Sequence, residues 1–161
     1  YEQLFSEYGI ETDIEIFNFK YRDRLKEGAY LLNNAMEICH ELYENKIKLG
    51  VASNGGNDIQ IRRIKKIGLD KYLDYMFVSE EIGYNKPYKE YFEYIFQKIG
   101  NIQKEKIMIV GDSLTADIQG GKNAGIRTCW YNPNGEAGME SIRPDYEIKD
   151  LLELRRLIGI I

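Results

Sequence analysis

After residue 30 the chain alternates short apolar runs with amphipathic stretches, and this alternation leaves it few folds. In "AYLLNNAMEICHELYENK" Leu32, Ala35, Met36, Cys39, Leu42 and Tyr43 recur at helical spacing, and "IKLGVAS" follows as an apolar run closed by Asn54-Gly55-Gly56. The pattern repeats in "NDIQIRRIKKIGL", with Ile61 and Ile64 on one face and Gly68 as the stop, followed by "YMFVS" at 75–79. Pro87 then opens "YKEYFEYIFQKIG", whose stripe of Tyr88, Tyr91, Phe92, Ile95, Phe96 and Ile99 predicts a helix with Pro87 at its first position. "KIMIV", "LTADIQGGKNAG" and "IRTCWY" read as strand, helix and strand, and "YEI" with "LLELRRLI" as an edge strand and a last helix. Strands separated by helices of about a dozen residues are βαβ units. The expected fold is α/β, a Rossmann-like parallel sheet with helices on both faces. Ligands of such sheets sit beyond the carboxyl ends of the strands.

Residues 1–28 stand outside the alternation. "EQLFSEYG" reads as a short helix, and Ile14, Phe17, Tyr21 and Leu25 share one face of a longer one. We read residues 1–28 as the end of a separate helical element and residues 29–161 as the α/β domain. At 161 residues, 43% hydrophobic and 30% charged, the chain has the make-up of one globular domain. A net charge of -4 without a basic block argues against a nucleic acid polymer as partner, while a single phosphate remains compatible. No apolar stretch has the roughly 18 residues of a membrane span, and "YEQLFSEYGIETD" lacks the basic and apolar regions of a signal peptide. The expectation is a cytoplasmic protein without membrane contact. Cys39 and Cys129, isolated and without CxxC spacing, read as buried thiols, and His40, the one histidine, as the flank of an amphipathic helix.

Chemistry gathers at the predicted strand ends. The first strand ends in Ser53-Asn54-Gly55, the second leads through "SEEIGYNKP" to Lys86, and the third ends in Gly111-Asp112 with Asp117 five residues on. A glycine-flanked turn presents N–H donors to phosphoryl oxygens, and a lysine offsets their charge. Asp112 and Asp117 together suit Mg²⁺, which prefers oxygen ligands. The block Gly111-Asp112-Ser113-Leu114 also spells the nucleophile motif of GDSL-type serine esterases. That triad needs a histidine after Ser113, and none follows. Ser113 is instead expected to support its neighbouring aspartate by a local hydrogen bond.

The series "LGVASNGG", "FVSEEIGYNKPYKEYF" and "IMIVGDSLTADIQGGKNAGIRTCWYNP" resembles motifs two, three and four of the haloacid dehalogenase (HAD) superfamily. Within it the chain looks most similar to the pyrimidine 5'-nucleotidases that act on noncanonical nucleotides. The resemblance implies a Mg²⁺-dependent phosphomonoester hydrolase working through an aspartyl-phosphate intermediate, with a nucleoside monophosphate as substrate. It implies that Ser53 and the Asn54 amide bind the phosphoryl group, that Lys86 pairs with nucleophile and phosphate, and that Asp112 ligates Mg²⁺ with support from Asp117. The superfamily's nucleophile lies in a DxDx[TS] motif on the first, central strand, which nothing here matches: Asp13 in "TDIEIF" follows no apolar strand, and position 15 is Glu. The expectation is therefore the C-terminal part of a longer chain, lacking the first strand, with residues 1–28 as the tail of a helical cap. The alternatives are a 2-haloacid dehalogenase-like hydrolase, which "SNG" also suits, and a HAD-like binding domain without catalysis. Among Tyr1, Phe5, Tyr8, Phe17, Phe19 and Tyr21, a base-stacking side chain of the cap competes with plain cap core.

Overall fold

Parallel strands with helical crossovers form where the alternation places them. The computed structural model describes residues 2–160. Among these, five strands occur: β1 (Gly50–Ser53), β2 (Tyr75–Val78), β3 (Met108–Gly111), β4 (Arg127–Tyr131) and β5 (Tyr146–Ile148). Eight α-helices accompany them: α1 (Glu2–Glu7), α2 (Ile14–Glu27), α3 (Ala35–Glu44), α4 (Asn57–Lys66), α5 (Ser79–Ile82), α6 (Lys89–Ile99), α7 (Gln119–Ala124) and α8 (Leu154–Ile158). Every ladder is parallel; α4 makes the crossover from β1 to β2 and α7 lies between β3 and β4, while β4 reaches β5 through residues 132–145 without a helix.

The strands form two sheets, in the orders β1-β2 and β3-β4-β5. Ser53 stands opposite Val78, and Gly111 opposite Trp130. β1, β2, β3 and β5 each have a strand on one side only, so each keeps an open edge. Val110, inside β3 and next to the buried Ile109, is 37% exposed.

Helices hold the two sheets together. On one face Tyr91, Phe92 and Ile95 of α6 pack with Phe77 of β2, Ile109 of β3 and Ala124 of α7. On the other, Ile38 and Leu42 of α3 and Leu154 of α8 pack against Cys129 and Ile148. Full burial of one such side chain is worth about 1.5–3 kcal/mol, so α6 contributes several kcal/mol to the junction. The hydroxyl of Tyr91, a wholly buried side chain, donates to the Phe77 carbonyl at 2.7 Å, and burial pushes its pKa up. Gly121 lets α7 approach the sheet: a Cβ there would lie 2.6 Å from an Ile109 methyl and 2.7 Å from that of Thr128.

One helix start departs from expectation. α6 begins at Lys89, with Tyr88 in extended conformation before it, and the Lys86-Pro87 peptide is cis, so Pro87 closes the preceding turn instead of opening the helix. Cys129 is buried, Cys39 is half-buried, and both thiols are free. His40 lies 5.7 Å from the Tyr72 ring. No helix among the described residues is long and apolar enough to cross a membrane. Within residues 2–28, Phe5 packs edge-on against Phe17 at 4.8 Å and Phe17 stacks on Tyr21, whereas Tyr8 and Phe19 are exposed. Tyr1 lies outside the described residues.

Candidate active site

Lys86 joins the ends of the two sheets. Its backbone is held by Asn54, whose side-chain oxygen accepts from the Lys86 N–H at 2.7 Å while its NH₂ donates to the Lys86 carbonyl at 2.9 Å. From there the ammonium donates to the Ala52 carbonyl at 2.5 Å, next to the end of β1, and to Asp117 Oδ1 at 2.6 Å, beyond the end of β3. Both side chains of this ion pair are 8% exposed. A pair so buried is favourable only when further hydrogen bonds satisfy it, and here the Ala52 carbonyl and the Ser113 N–H, which donates to Asp117 Oδ2 at 3.1 Å, do so. A lysine ammonium has three donors. Two are spent, which leaves one for a ligand.

Asp117 lies in a π-helical turn, Leu114–Ile118, between β3 and α7. Its carboxylate folds back over Gly111, where a Cβ would come within 2.2 Å of Oδ2, so any side chain at position 111 would displace it. The Ser113 hydroxyl accepts from the Ala116 N–H at 3.1 Å and caps this turn. It is therefore the Ser113 backbone, and not the hydroxyl, that supports an aspartate. Asp112 is placed differently. Its carbonyl accepts from the Trp130 indole at 2.9 Å, while its exposed carboxylate has no partner among the described residues.

The turn after β1 completes the surroundings. Ser53, Asn54, Gly55 and Gly56 lead into α4, and the Ser53 hydroxyl lies 3.4 Å from where a Gly55 Cβ would stand. Since the Asn54 side chain is engaged by Lys86, its backbone N–H is the group left to meet an anion. Helix N-termini with glycine before them are suited to phosphate. Among the described residues no three His, Cys, Asp or Glu side chains cluster as a metal cage. The donor set still fits Mg²⁺, which is commonly held by one or two carboxylates, water and the substrate's own phosphate oxygens. Asp112 would be the ligand, and Asp117, committed to Lys86 and Ser113, would act on its surroundings.

Of the five residues expected at the site, Asn54, Lys86 and Asp117 are tied together by hydrogen bonds, and Ser53 and Asp112 flank them in the chain. Sequence reasoning missed two participants. The Ala52 carbonyl leaves no trace in residue types. Glu80, inside "SEEIGYNKP", accepts from the Asn57 N–H at 2.6 Å, and no spacing announces that contact.

The model of the haloacid dehalogenase-like hydrolase family matches residues 1–131. The chain is 40% identical to HAD-hydrolase YfnB of Bacillus subtilis over 99% of this chain and 68% of that protein. The magnesium-bound crystal structure of YfnB superposes with a TM-score of 0.89, covering 98% of this chain and 68% of the other. Identity is 38% to the pyrimidine 5'-nucleotidase PynA of Streptococcus pneumoniae (95% of this chain, 66% of that one) and 35% to the pyrimidine 5'-nucleotidase YjjG of Escherichia coli (83% and 63%). The chain thus spans about two thirds of the length of the curated relatives it matches.

Proposed function

Because the chain belongs to the haloacid dehalogenase-like hydrolase family, we propose that it forms the phosphate- and metal-binding part of a Mg²⁺-dependent phosphomonoesterase that acts on nucleoside monophosphates. The observation that carries this reading is the Lys86 clamp. A buried ammonium with one donor to spare ties the end of β1 to Asp117, while Asp112, next to the end of β3, offers a carboxylate without a partner among the described residues. The names of PynA and YjjG favour a pyrimidine nucleotide as substrate. Residues 1–28 are, in this reading, the end of a helical cap over the core at 29–161.

The reaction requires a nucleophilic carboxylate, since Asp117 is spent on Lys86 and Asp112 is assigned to the metal. In this reading a further strand between β1 and β3 carries it, near Lys86, which reaches both Ala52 and Asp117. That carboxylate oxygen attacks phosphorus, the ester P–O bond breaks, and a second carboxylate two residues later gives its proton to the leaving oxygen. Water then attacks the phosphorus of the aspartyl phosphate, releasing inorganic phosphate and the original carboxylate. The Ser53 hydroxyl and the Asn54 N–H hold the phosphoryl oxygens, and Lys86 offsets their charge from a fixed position without reorganising. When bound, Mg²⁺ adds a second positive charge at those oxygens.

The test is release of inorganic phosphate from a panel of nucleoside monophosphates by the full protein, with Mg²⁺ and with EDTA. Metal-dependent release, greatest for pyrimidine nucleotides, is expected. Halide release from a 2-haloacid that persists in EDTA, without phosphate release, would replace this reading by that of a dehalogenase.

A further inference from the structure

α4 caps itself only in part: Asp58 Oδ1 accepts from the Ile59 N–H at 2.9 Å, while the first N–H, that of Asn57, has its acceptor outside the helix. Its N-cap residue is Gly56, which has no side chain to satisfy the first N–H groups of the helix. Glu80 supplies the missing acceptor from the start of α5, just past β2: its Oε2 takes the Asn57 N–H at 2.6 Å. The other oxygen, Oε1, accepts from both Arg22 Nη1 and Arg22 Nη2 at 3.2 Å. Arg22, on α2, also reaches Asp58 Oδ1 at 2.6 Å, and Lys26 pairs with Asp58 Oδ2 at 2.8 Å. The Arg22 guanidinium lies against the turn itself, since a Cβ on Gly56 would stand 3.0 Å from its Nη2. One carboxylate thus joins three elements: the end of β2, the turn after β1, and α2.

We propose that Glu80 is a positioning residue of the Ser53–Asn57 turn, and that through Arg22 it couples the placement of this turn to that of α2. The consequence for phosphate binding rests on the function proposed above; the mechanical tie does not. Isolated exposed ion pairs contribute little. Glu80 differs because its carboxylate also accepts from the first N–H of α4, that of Asn57, which neither Gly56 nor Asp58 satisfies, and the Asn57 N–H followed by Arg22 holds it below the usual carboxylate range. Moving α2 away from the core withdraws Arg22, leaves Glu80 with one partner, and loosens the turn whose N–H groups face the phosphoryl oxygens.

Asp74 provides an internal control. Its carboxylate accepts from a backbone N–H, that of Leu49, at 3.0 Å and from a cation, Lys48, at 2.5 Å, but at the opposite end of β1. In the full protein, amide hydrogen exchange over residues 53–60 and competitive inhibition by inorganic phosphate are measured for wild type and for Glu80→Ala, Glu80→Gln, Arg22→Ala and Asp74→Ala. Loss of a hydrogen bond to a charged group predicts that Glu80→Ala accelerates exchange at Asn57 about tenfold and weakens phosphate inhibition by a similar factor. kcat should change less than KM. Glu80→Gln, which keeps an acceptor for Asn57, should restore most of both, Arg22→Ala should give a smaller loosening of the same amides, and Asp74→Ala should leave them unchanged. Unaltered Asn57 exchange in Glu80→Ala, or an equal loss in Asp74→Ala, overturns the proposal. If phosphate fails to inhibit even wild type while exchange responds as described, the tie stands and the phosphatase reading falls.

Discussion

Asp117 is the residue whose surroundings differ most from what its position in the chain suggests. A polar side chain early in a helix is ordinarily solvated, yet this one is 8% exposed and bound on both oxygens. Removing its partner should therefore have two effects. Lys86→Ala is expected to lower kcat of the full enzyme by about 10²–10³, the scale of losing one preorganised charge in a site. It should also destabilise the fold by about 3–5 kcal/mol, because it strands a buried carboxylate. Ser113→Ala should leave turnover near wild type and cost about 1 kcal/mol of stability, the value of a helix cap. Phosphate-release kinetics with denaturant titration check both; a dead Ser113→Ala beside an active Lys86→Ala would restore the esterase reading. Residue types and their order singled out Ser53, Asn54, Lys86, Asp112 and Asp117 as candidates, and the fold ties Asn54, Lys86 and Asp117 together. What they did not disclose is how the groups divide the work, because the Asn54 side chain, the Ser113 N–H and the Ala52 carbonyl act through directions that only the folded backbone sets.

At the scale of elements, periodicity located the strands well because each is short, apolar and followed by a polar turn. The start of α6 was misplaced for a physical reason. Proline suits a first helical turn in general, but Lys86 must turn inward to reach Asp117, and Pro87 belongs to the turn that takes it there. Between β4 and β5 the decisive contact was equally hidden. Asp145 Oδ2 accepts from the Thr128 N–H and hydroxyl, both at 2.8 Å, and Lys122 pairs with Oδ1 at 2.6 Å. Burial acts to raise the Asp145 pKa, but Lys122 and Thr128 outweigh it and hold the pKa below the ordinary value. With the folded pKa depressed, the unfolded chain takes up the proton first as pH falls. Asp145 therefore contributes stability that is complete above about pH 4 and disappears as pH drops through the lowered folded value. Denaturant titration of the full protein between pH 3 and 6 should show a shallower loss for Asp145→Asn than for wild type. Identical slopes would mean that this carboxylate carries no part of the acid sensitivity.

For the whole molecule, the two sheets are joined by helix packing and by the Lys86 contacts with Ala52 and Asp117. The polypeptide of residues 1–161 made alone should lack a cooperative thermal transition and phosphatase turnover, because the open edges of β1 and β3 leave backbone donors and acceptors unpaired in its middle. A sharp transition accompanied by turnover in that polypeptide would contradict this. The topology was legible in outline, since the parallel ladders fall on the short apolar runs of the sequence. The ionic seat of α2 was not legible: Arg22 and Lys26 pair with Asp58, and Glu27 with Arg62 and Lys66, residues 32 to 39 positions apart that carry no mutual signal. The central claim is that Asp112 holds the Mg²⁺ of a phosphomonoesterase. It is tested most directly by measuring phosphate release from a pyrimidine nucleoside monophosphate against Mg²⁺ concentration for the full wild-type protein and its Asp112→Asn and Asp117→Asn variants. Asp112→Asn keeps the shape and removes one full negative charge, so the Mg²⁺ concentration at half-maximal rate should rise about tenfold or more, with a smaller rise for Asp117→Asn. An Asp112→Asn enzyme with the wild-type Mg²⁺ dependence and undiminished rate would contradict the account.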